Sequence, residues 1–397
     1  MDMKQHARDR IEQDAASLIQ ISHQMHDRPE LAYQESSAAG WLADKLESGG
    51  MKVERSAHGL ETAFRATAGE SGAHFVICAE YDALPEIGHA CGHNIIGTSA
   101  VGAGLALSQL APYLGIRVTV LGTPAEESGG GKVDLMNAGA FDDVDVALMV
   151  HPGPVDVVDW PTLAWTGLNI RFHGKESHAS AFPERGLNAL DAMNLAYFGV
   201  AALRQHISRD ERIHGIVTHG GDAANIVPKL TEGRFFVRAA SMEDLLPLKQ
   251  RVIKCFEAGA LATGCEVEFL TMDNDYDFVR TNLAMGETYE KNLQPLGRGA
   301  LPRAMVEKFA GSTDMGNVSH VVPSIHPLMG IDSLPAVNHQ AEFTAATITP
   351  AGDRAILDAA MAMAWTVIDL ATDEAAMARV RDEFDNPAPS ANPMLAL

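Results

Sequence analysis

The sequence predicts an α/β protein: a mainly parallel sheet covered by helices, interrupted by a smaller α+β insert. Three observations predict it. Short apolar runs at 74–79 (HFVICA), 116–121 (IRVTVL) and 144–150 (VDVALMV) flank a long, small-residue apolar segment at 97–110. Strands that are apolar on both faces and joined through a helix belong to parallel sheets buried on both sides. From about 167 to 273 the texture changes to half-buried alternation and two long helical patterns. Their order, β-α-β-β-α-β, is that of a ferredoxin-like unit. The expected division is 1–166 with 274–397 as one discontinuous domain and 167–273 as the insert. A chain of 397 residues suits two or three domains at ~150 residues each.

The elements follow in order. Residues 11–25 carry apolar side chains at helical spacing, Leu18, Ile19 and Met25 among them, and 36–46 form a second helix stopped by Gly49-Gly50. The strand at 74–79 runs into Glu80-Tyr81-Asp82. The helix at 97–110 is apolar enough to be buried. The strand at 116–121 leads into Thr123–Gly131, and that at 144–150 ends at His151-Pro152-Gly153. In the insert, strands at 168–173, 213–219, 233–239 and 265–270 accompany helices at 186–206 and 243–263. An α/β pattern resumes after 274, and the proline-rich tail at 386–393 is expected to be loosely ordered.

Composition excludes several classes of function. Lys plus Arg is 30 against 52 Asp plus Glu, and 30 − 52 gives a net charge of −22. A nucleic-acid binder shows a basic face, and an anionic membrane attracts basic segments, so neither partner is expected. No stretch of ~20 uninterrupted apolar residues offers a membrane span, and the N-terminus lacks an apolar signal core. Four cysteines are too few for a disulfide framework in a chain this long, so a reducing, cytoplasmic home is expected.

The chemistry gathers where strands end. Cys91 and His93 flank Gly92, whose freedom of backbone angle lets an i, i+2 pair face one ion. Glu126 and Glu127 follow an apolar strand, so their side chains diverge and can divide labour, one binding metal and the other moving protons. His151 ends the next strand, and His339 lies far downstream. Each residue taken singly is ordinary. Three consecutive strands ending in metal-capable groups is not, because one edge of a sheet gathers them. Two other readings use the same residues. Cys91 could be a nucleophile activated by His93 or His89 without metal, which leaves Glu127, His151 and His339 without work. A non-catalytic binding protein on the same fold would have no need of Glu126.

The stretches AEYDALPEIGHACGHNIIG, TPAEESGGGK, VHPGP, GKESHASAFPERGLNALDA, HGGDAANIVP and GSTDMGNVSHVVPSIHP occur in this order between about 26 and 342. In these the chain resembles the two-metal aminoacylase/carboxypeptidase group of amidohydrolases, in the branch with a Cys ligand. That branch includes indoleacetyl-amino acid hydrolases and aminobenzoyl-glutamate hydrolases. The resemblance implies a zinc exopeptidase-like catalytic domain and a dimerisation domain at 167–273. It implies two divalent metal ions per chain, zinc first, with manganese or cobalt able to substitute. Cys91, His93, Glu127, His151 and His339 would hold them, with Glu126 as general base and Asp82 orienting the ligands. His214 would reach the partner subunit's site to support the oxyanion, and Asn225 and Arg238 would hold substrate. The substrate implied is an N-acyl or N-aroyl amino acid or a dipeptide, and the assembly a homodimer. His178 matches a motif without an assigned role. His89, His173, His219, His320 and His326 are expected not to be ligands, and the segment around Asp314 is expected to help shape the pocket.

Overall fold

The computed structural model describes residues 2–270, 274–308 and 310–387. The chain divides into two compact units, Met1–Pro161 with Val279–Ser390, and Thr162–Phe278.

The first unit opens with helices α1 (Met3–Asp27) and α2 (Ser36–Ser48), then strands β1 (Lys52–Arg55), β2 (Phe64–Ala68) and β3 (His74–Ala79). Helix α3 (His93–Leu114), β4 (Arg117–Gly122), helix α4 (Gly131–Asn137) and two short strands, β5 (Val146–Leu148) and β6 (His151–Gly153), follow. The main sheet has the order β1-β2-β4-β3-β5, with one further strand contributed from late in the chain. Pairing is parallel for β3 with β4 and with β5, and antiparallel for β2 with β1 and with β4. All six residues of β3 are buried, as a central parallel strand requires. The antiparallel edge has no expectation in the sequence reading: β1 is KVER and mostly exposed, too polar to carry an apolar signature.

Helix α3 lies very close to this sheet because its facing positions are small. A Cβ on Gly104 would stand 2.2 Å from Val120 Cγ2. This helix and a later one, Pro350–Thr372, are long and apolar enough to cross a membrane by length and composition. Both are mostly buried in the hydrophobic core of the first unit, against α1 and each other, which demands the same composition.

The second unit holds β7 (Ala164–His173), α5 (Ala189–Leu203), β8 (Arg212–His219), β9 (Leu230–Ala239), α6 (Met242–Thr263) and β10 (Glu266–Phe269). Its sheet is antiparallel in the order β10-β7-β9-β8, the ferredoxin-like arrangement. Leu168, Ile170, Phe172, Phe235 and Val237 form one core with α5 and α6. Strand β7 begins at Ala164, ahead of the strand expected from 168 and of the insert boundary expected at 167, and Trp165 bridges to Tyr276. The expected boundary at 273 lies outside the described residues, as do positions 388–393 of the tail.

The chain returns to the first unit with α7 (Leu283–Leu293), α8 (Met315–Val321), β11 (Ser324–Ile325), β12 (Leu328–Gly330), α9 (Ala341–Ala346), α10 (Pro350–Thr372) and α11 (Glu374–Asp385). β11 joins the main sheet beside β5, in parallel. β12 pairs in parallel with β6 in a separate two-stranded sheet. His151 therefore does not simply follow the third parallel strand. It opens β6, opposite Leu328, and its N–H donates to Pro327 O at 2.9 Å.

Candidate active site

The site assembles at the carboxyl ends of β3 and β4, the N-terminus of α3, strand β6 and the segment before α9. Cys91 and His93 straddle Gly92, which caps α3 with φ 79°. A Cβ there would stand 2.3 Å from Pro152 Cγ, so glycine is required both by its angle and by the chain carrying His151. Ala125 and His339 also sit at positive φ, 61° and 68°, next to Glu126 and at the ligand itself. Such angles are strained for non-glycine residues and cluster at functional sites. Ala125 is held by Glu35, whose Oε1 accepts Ala125 N–H at 2.9 Å. His339 N–H donates to Ala90 O at 2.9 Å, tying the downstream segment to the Cys91 turn.

Five expected ligands converge. Cys91 Sγ is 3.5 Å from His151 Nε2 and 3.4 Å from His339 Nε2. Glu127 lies 3.6 Å from His339 Nε2 and 3.8 Å from His93 Nε2. Glu126 is 3.9 Å from His93 Nε2. Three sets of donor atoms lie within 4.8 Å of one another: Cys91–His93–His151, Cys91–Glu127–His339 and Glu80–His93–Glu126. Asp82 braces them, accepting from His93 Nδ1 and from Glu127 N–H, each at 2.9 Å.

Electrostatics mark the same residues. Burial would raise the Asp82 carboxyl, but His93 and the two hydrogen bonds outweigh it and hold it low. Burial disfavours charge on His93, yet Asp82 and its neighbours push its imidazole well up. Burial first, then Glu80 and Glu127, push Glu126 well above the usual carboxylate range. Burial raises Glu127 to about 7 against the pull of His93. Burial and the Glu127 charge push the Cys91 thiol well up, the opposite of what a metal-free nucleophile needs.

The donor set fits divalent metal. Glu80 Oε2, His93 Nε2 and Glu127 Oε1 are buried without a hydrogen-bond partner. Orphaned donors and acceptors of this kind are costly unless something satisfies them. Thiolate, imidazole and carboxylate together are the ligands of metal hydrolases.

Reading the sequence alone missed two participants. Glu80 directly follows β3 and joins the third donor set. Lys132, fully buried, bonds Glu80 and Asp314. His326, expected not to be a ligand, joins none of the three donor sets; it is buried with its ring 5.5 Å from His151 and 5.6 Å from Trp160. The Glu-Tyr-Asp run and the Gly-Gly-Gly-Lys run were signals for the first two. His89 is buried and its imidazole is pushed down to about 3 by burial and by His93.

The remaining candidates lie in the second unit. His214 on β8 pairs with Phe236, and Arg212 with Arg238, so His214 and Arg238 share one face of that sheet. Burial, then Arg238 and Arg204, lower the His214 imidazole. Asn225 O accepts from Ala179 N–H at 3.0 Å, and His178 bridges to Ile226, placing these two segments side by side.

Comparison with known proteins agrees with this geometry. The chain is 40% identical to the Xaa-Arg dipeptidase of Mus musculus, over 96% of this chain and 92% of that protein. It is 38% identical to the Homo sapiens Xaa-Arg dipeptidase, over 94% and 90%. The chain belongs to the M20 peptidase family. Within it, residues 165–263 match the peptidase dimerisation domain. A component of the p-aminobenzoyl-glutamate hydrolase of Escherichia coli is 36% identical over 66% of this chain and 58% of that protein. Two solved structures share the fold. One is an aminobenzoyl-glutamate utilization protein from Klebsiella pneumoniae, with TM-score 0.71 and 20% identity over 88% of this chain and 98% of that one. The other is a dinuclear metal binding M20 peptidase of Bacillus subtilis, with TM-score 0.66 and 19% identity over 90% and 99%. This M20 protein is a metal-dependent amidohydrolase, and a metal-free Cys91 nucleophile is not the favoured reading.

Proposed function

We propose that this M20 enzyme cleaves the amide bond of a dipeptide or N-acyl amino acid carrying a free carboxylate, with Glu126 as general base. The observation that carries the reading is Glu126 set beside the convergent donors of Cys91, His93, Glu127, His151 and His339. These five residues would hold two divalent ions. Zinc is proposed first because a thiolate and three imidazoles suit it; manganese or cobalt suit the carboxylates. When bound, the metals polarise the scissile carbonyl and make water nucleophilic near neutral pH.

The protein's own residues do the rest. Glu126 takes the water's proton and delivers it to the leaving amine. Asp82 fixes the His93 ring and the Glu127 backbone. Arg238 would grip the substrate carboxylate, Asn225 would position the amide, and His214 would support the oxyanion in the site of a partner subunit. That last role needs a homodimer, which the match to a peptidase dimerisation domain supports. A reducing, cytoplasmic setting is proposed on the four free cysteines.

Dipeptides rank first as substrates, because the mouse and human relatives, named Xaa-Arg dipeptidases, align over nearly the whole chain. The test is metal analysis with hydrolysis of Xaa-Arg and Xaa-Lys dipeptides, aminobenzoyl-glutamate and simple N-acyl amino acids, before and after chelation. Two metal equivalents with chelation-sensitive dipeptide cleavage are expected. Full activity in metal-free protein would overturn the reading.

A further inference from the structure

A buried charge cluster touches this site without a role in the chemistry above. Lys132, on α4, has its ammonium 2.5 Å from Glu80 Oε1 and 2.6 Å from Asp314 Oδ1. Lys132 N–H also donates to Asp314 Oδ2 at 2.8 Å. All three side chains are fully buried. A buried ion cluster is stable only when its geometry is good and its remaining oxygens are satisfied. Glu80 Oε2 is the exception: it is buried, unpartnered, and 3.4 Å from His93 Nε2.

His93 decides what that exception means. Its Nδ1 faces Asp82, an acceptor only, so Nδ1 carries the proton. His93 Nε2 is also buried without a hydrogen-bond partner, and it belongs with Glu80 to one metal-capable donor set. Glu80 Oε2 stands 3.4 Å from that nitrogen, close enough for both atoms to reach one cation. Lys132 cannot supply it, since its ammonium is committed to the other Glu80 oxygen and to Asp314.

We propose that Glu80 is an additional carboxylate ligand at the His93 metal position, and that Lys132, seated by Asp314, is the positioning residue that decides which Glu80 oxygen is offered. The inference rests on the metal-dependent reading above and adds a donor to it. The three residues come from the position after β3, the start of α4 and the residue before α8, so the clamp joins segments that surround the site.

The test titrates metal-free full-length protein with zinc against a chromophoric chelator, alongside thermal melting of the metal-free forms. Glu80→Gln leaves Lys132 and Asp314 as a balanced pair, so its metal-free melting temperature is expected to stay at or above that of the wild type. One of its two zinc equivalents is expected to weaken by about 10- to 100-fold or more. Glu80→Asp keeps the charge but shortens the reach and is expected to weaken the same equivalent. Lys132→Met is expected to do so while also lowering the metal-free melting temperature. Two wild-type-like zinc equivalents in Glu80→Gln would overturn the proposal and make Glu80 only an ion-pair partner of a protonated His93. A wild-type chain that takes up no zinc would instead overturn the metal-dependent reading itself.

Discussion

Asp82→Asn removes one charge and almost no volume, yet it forces a choice between two faults. Asp82 uses both oxygens as acceptors, one from His93 Nδ1 and one from Glu127 N–H, each at 2.9 Å. An asparagine has one oxygen to offer. If that oxygen stays on His93, the amide NH₂ points at the Glu127 N–H, and a buried donor is left unsatisfied at about 1–3 kcal/mol. If the amide turns over, its NH₂ donates to His93 Nδ1, the ring proton moves to Nε2, and the lone pair facing the donor cluster is lost. Because Asp82 and His93 are fully buried, water cannot repair either fault. The expected result is a metal affinity weaker by about 10- to 100-fold, with a comparable loss in kcat/KM at limiting metal. Excess zinc should restore part of the activity. The assay is competition with a chelator of known affinity, followed by kinetics across a metal titration. Wild-type affinity together with wild-type kcat/KM would refute the argument that Asp82 sets the His93 tautomer.

Three further outcomes follow from the same geometry. Glu126→Gln should keep both metals and a similar KM while losing about 10²- to 10⁴-fold in kcat, and steady-state kinetics beside metal analysis would check it. Gly92→Ala meets Pro152 at 2.3 Å in a backbone region with φ 79°, so it should lower the melting temperature and weaken metal binding together, as calorimetry of both forms would show. Glu35 is pushed up from 4.5 to about 7 by burial and by Asp82. Its folded form therefore holds a proton more tightly than the unfolded chain. The stability it contributes is present below about pH 4.5 and is lost as pH rises to about 7. Glu35→Gln should match the wild type near pH 5 and exceed it at pH 8, by at most about 3 kcal/mol at ~1.36 kcal/mol per pH unit. A melting difference that does not change with pH would refute it.

Much of the fold was legible because burial leaves a periodic mark. The run HFVICA gave β3 its bounds, and the insert showed its β-α-β-β-α-β order through alternation and helical spacing. The polar edge strand β1 leaves no such mark, and β2, FRATA, is too short and too weakly apolar to leave a clear one, so both went unseen. That Cys91, Glu127 and His151 lie near one sheet edge could be anticipated because they follow predicted strands, whereas the full set with His93 and His339 came from the family resemblance. The Lys132–Glu80–Asp314 cluster could not. Its charges meet across 182 residues of sequence, and a lysine after three glycines reads as an exposed helix start until its partners are placed. The place of His326 was hidden for a similar reason: only the pairing of β12 with β6 brings its segment beside His151.

The contact between Cys91 and His339 closes a loop of 248 residues, with the entire second unit threaded between its ends. In terms of synthesis, a ribosome must deliver about six-sevenths of the chain before the fifth ligand exists. The insert can gain order earlier, because its own contacts are more local. The donor cluster is thus a finishing contact, assembled when the last third of the chain docks its His339 segment on the Cys91 turn. A metal ion held there would act as a clasp on this 248-residue loop. Metal supply would then govern how long that loop stays closed as well as how fast the enzyme turns over.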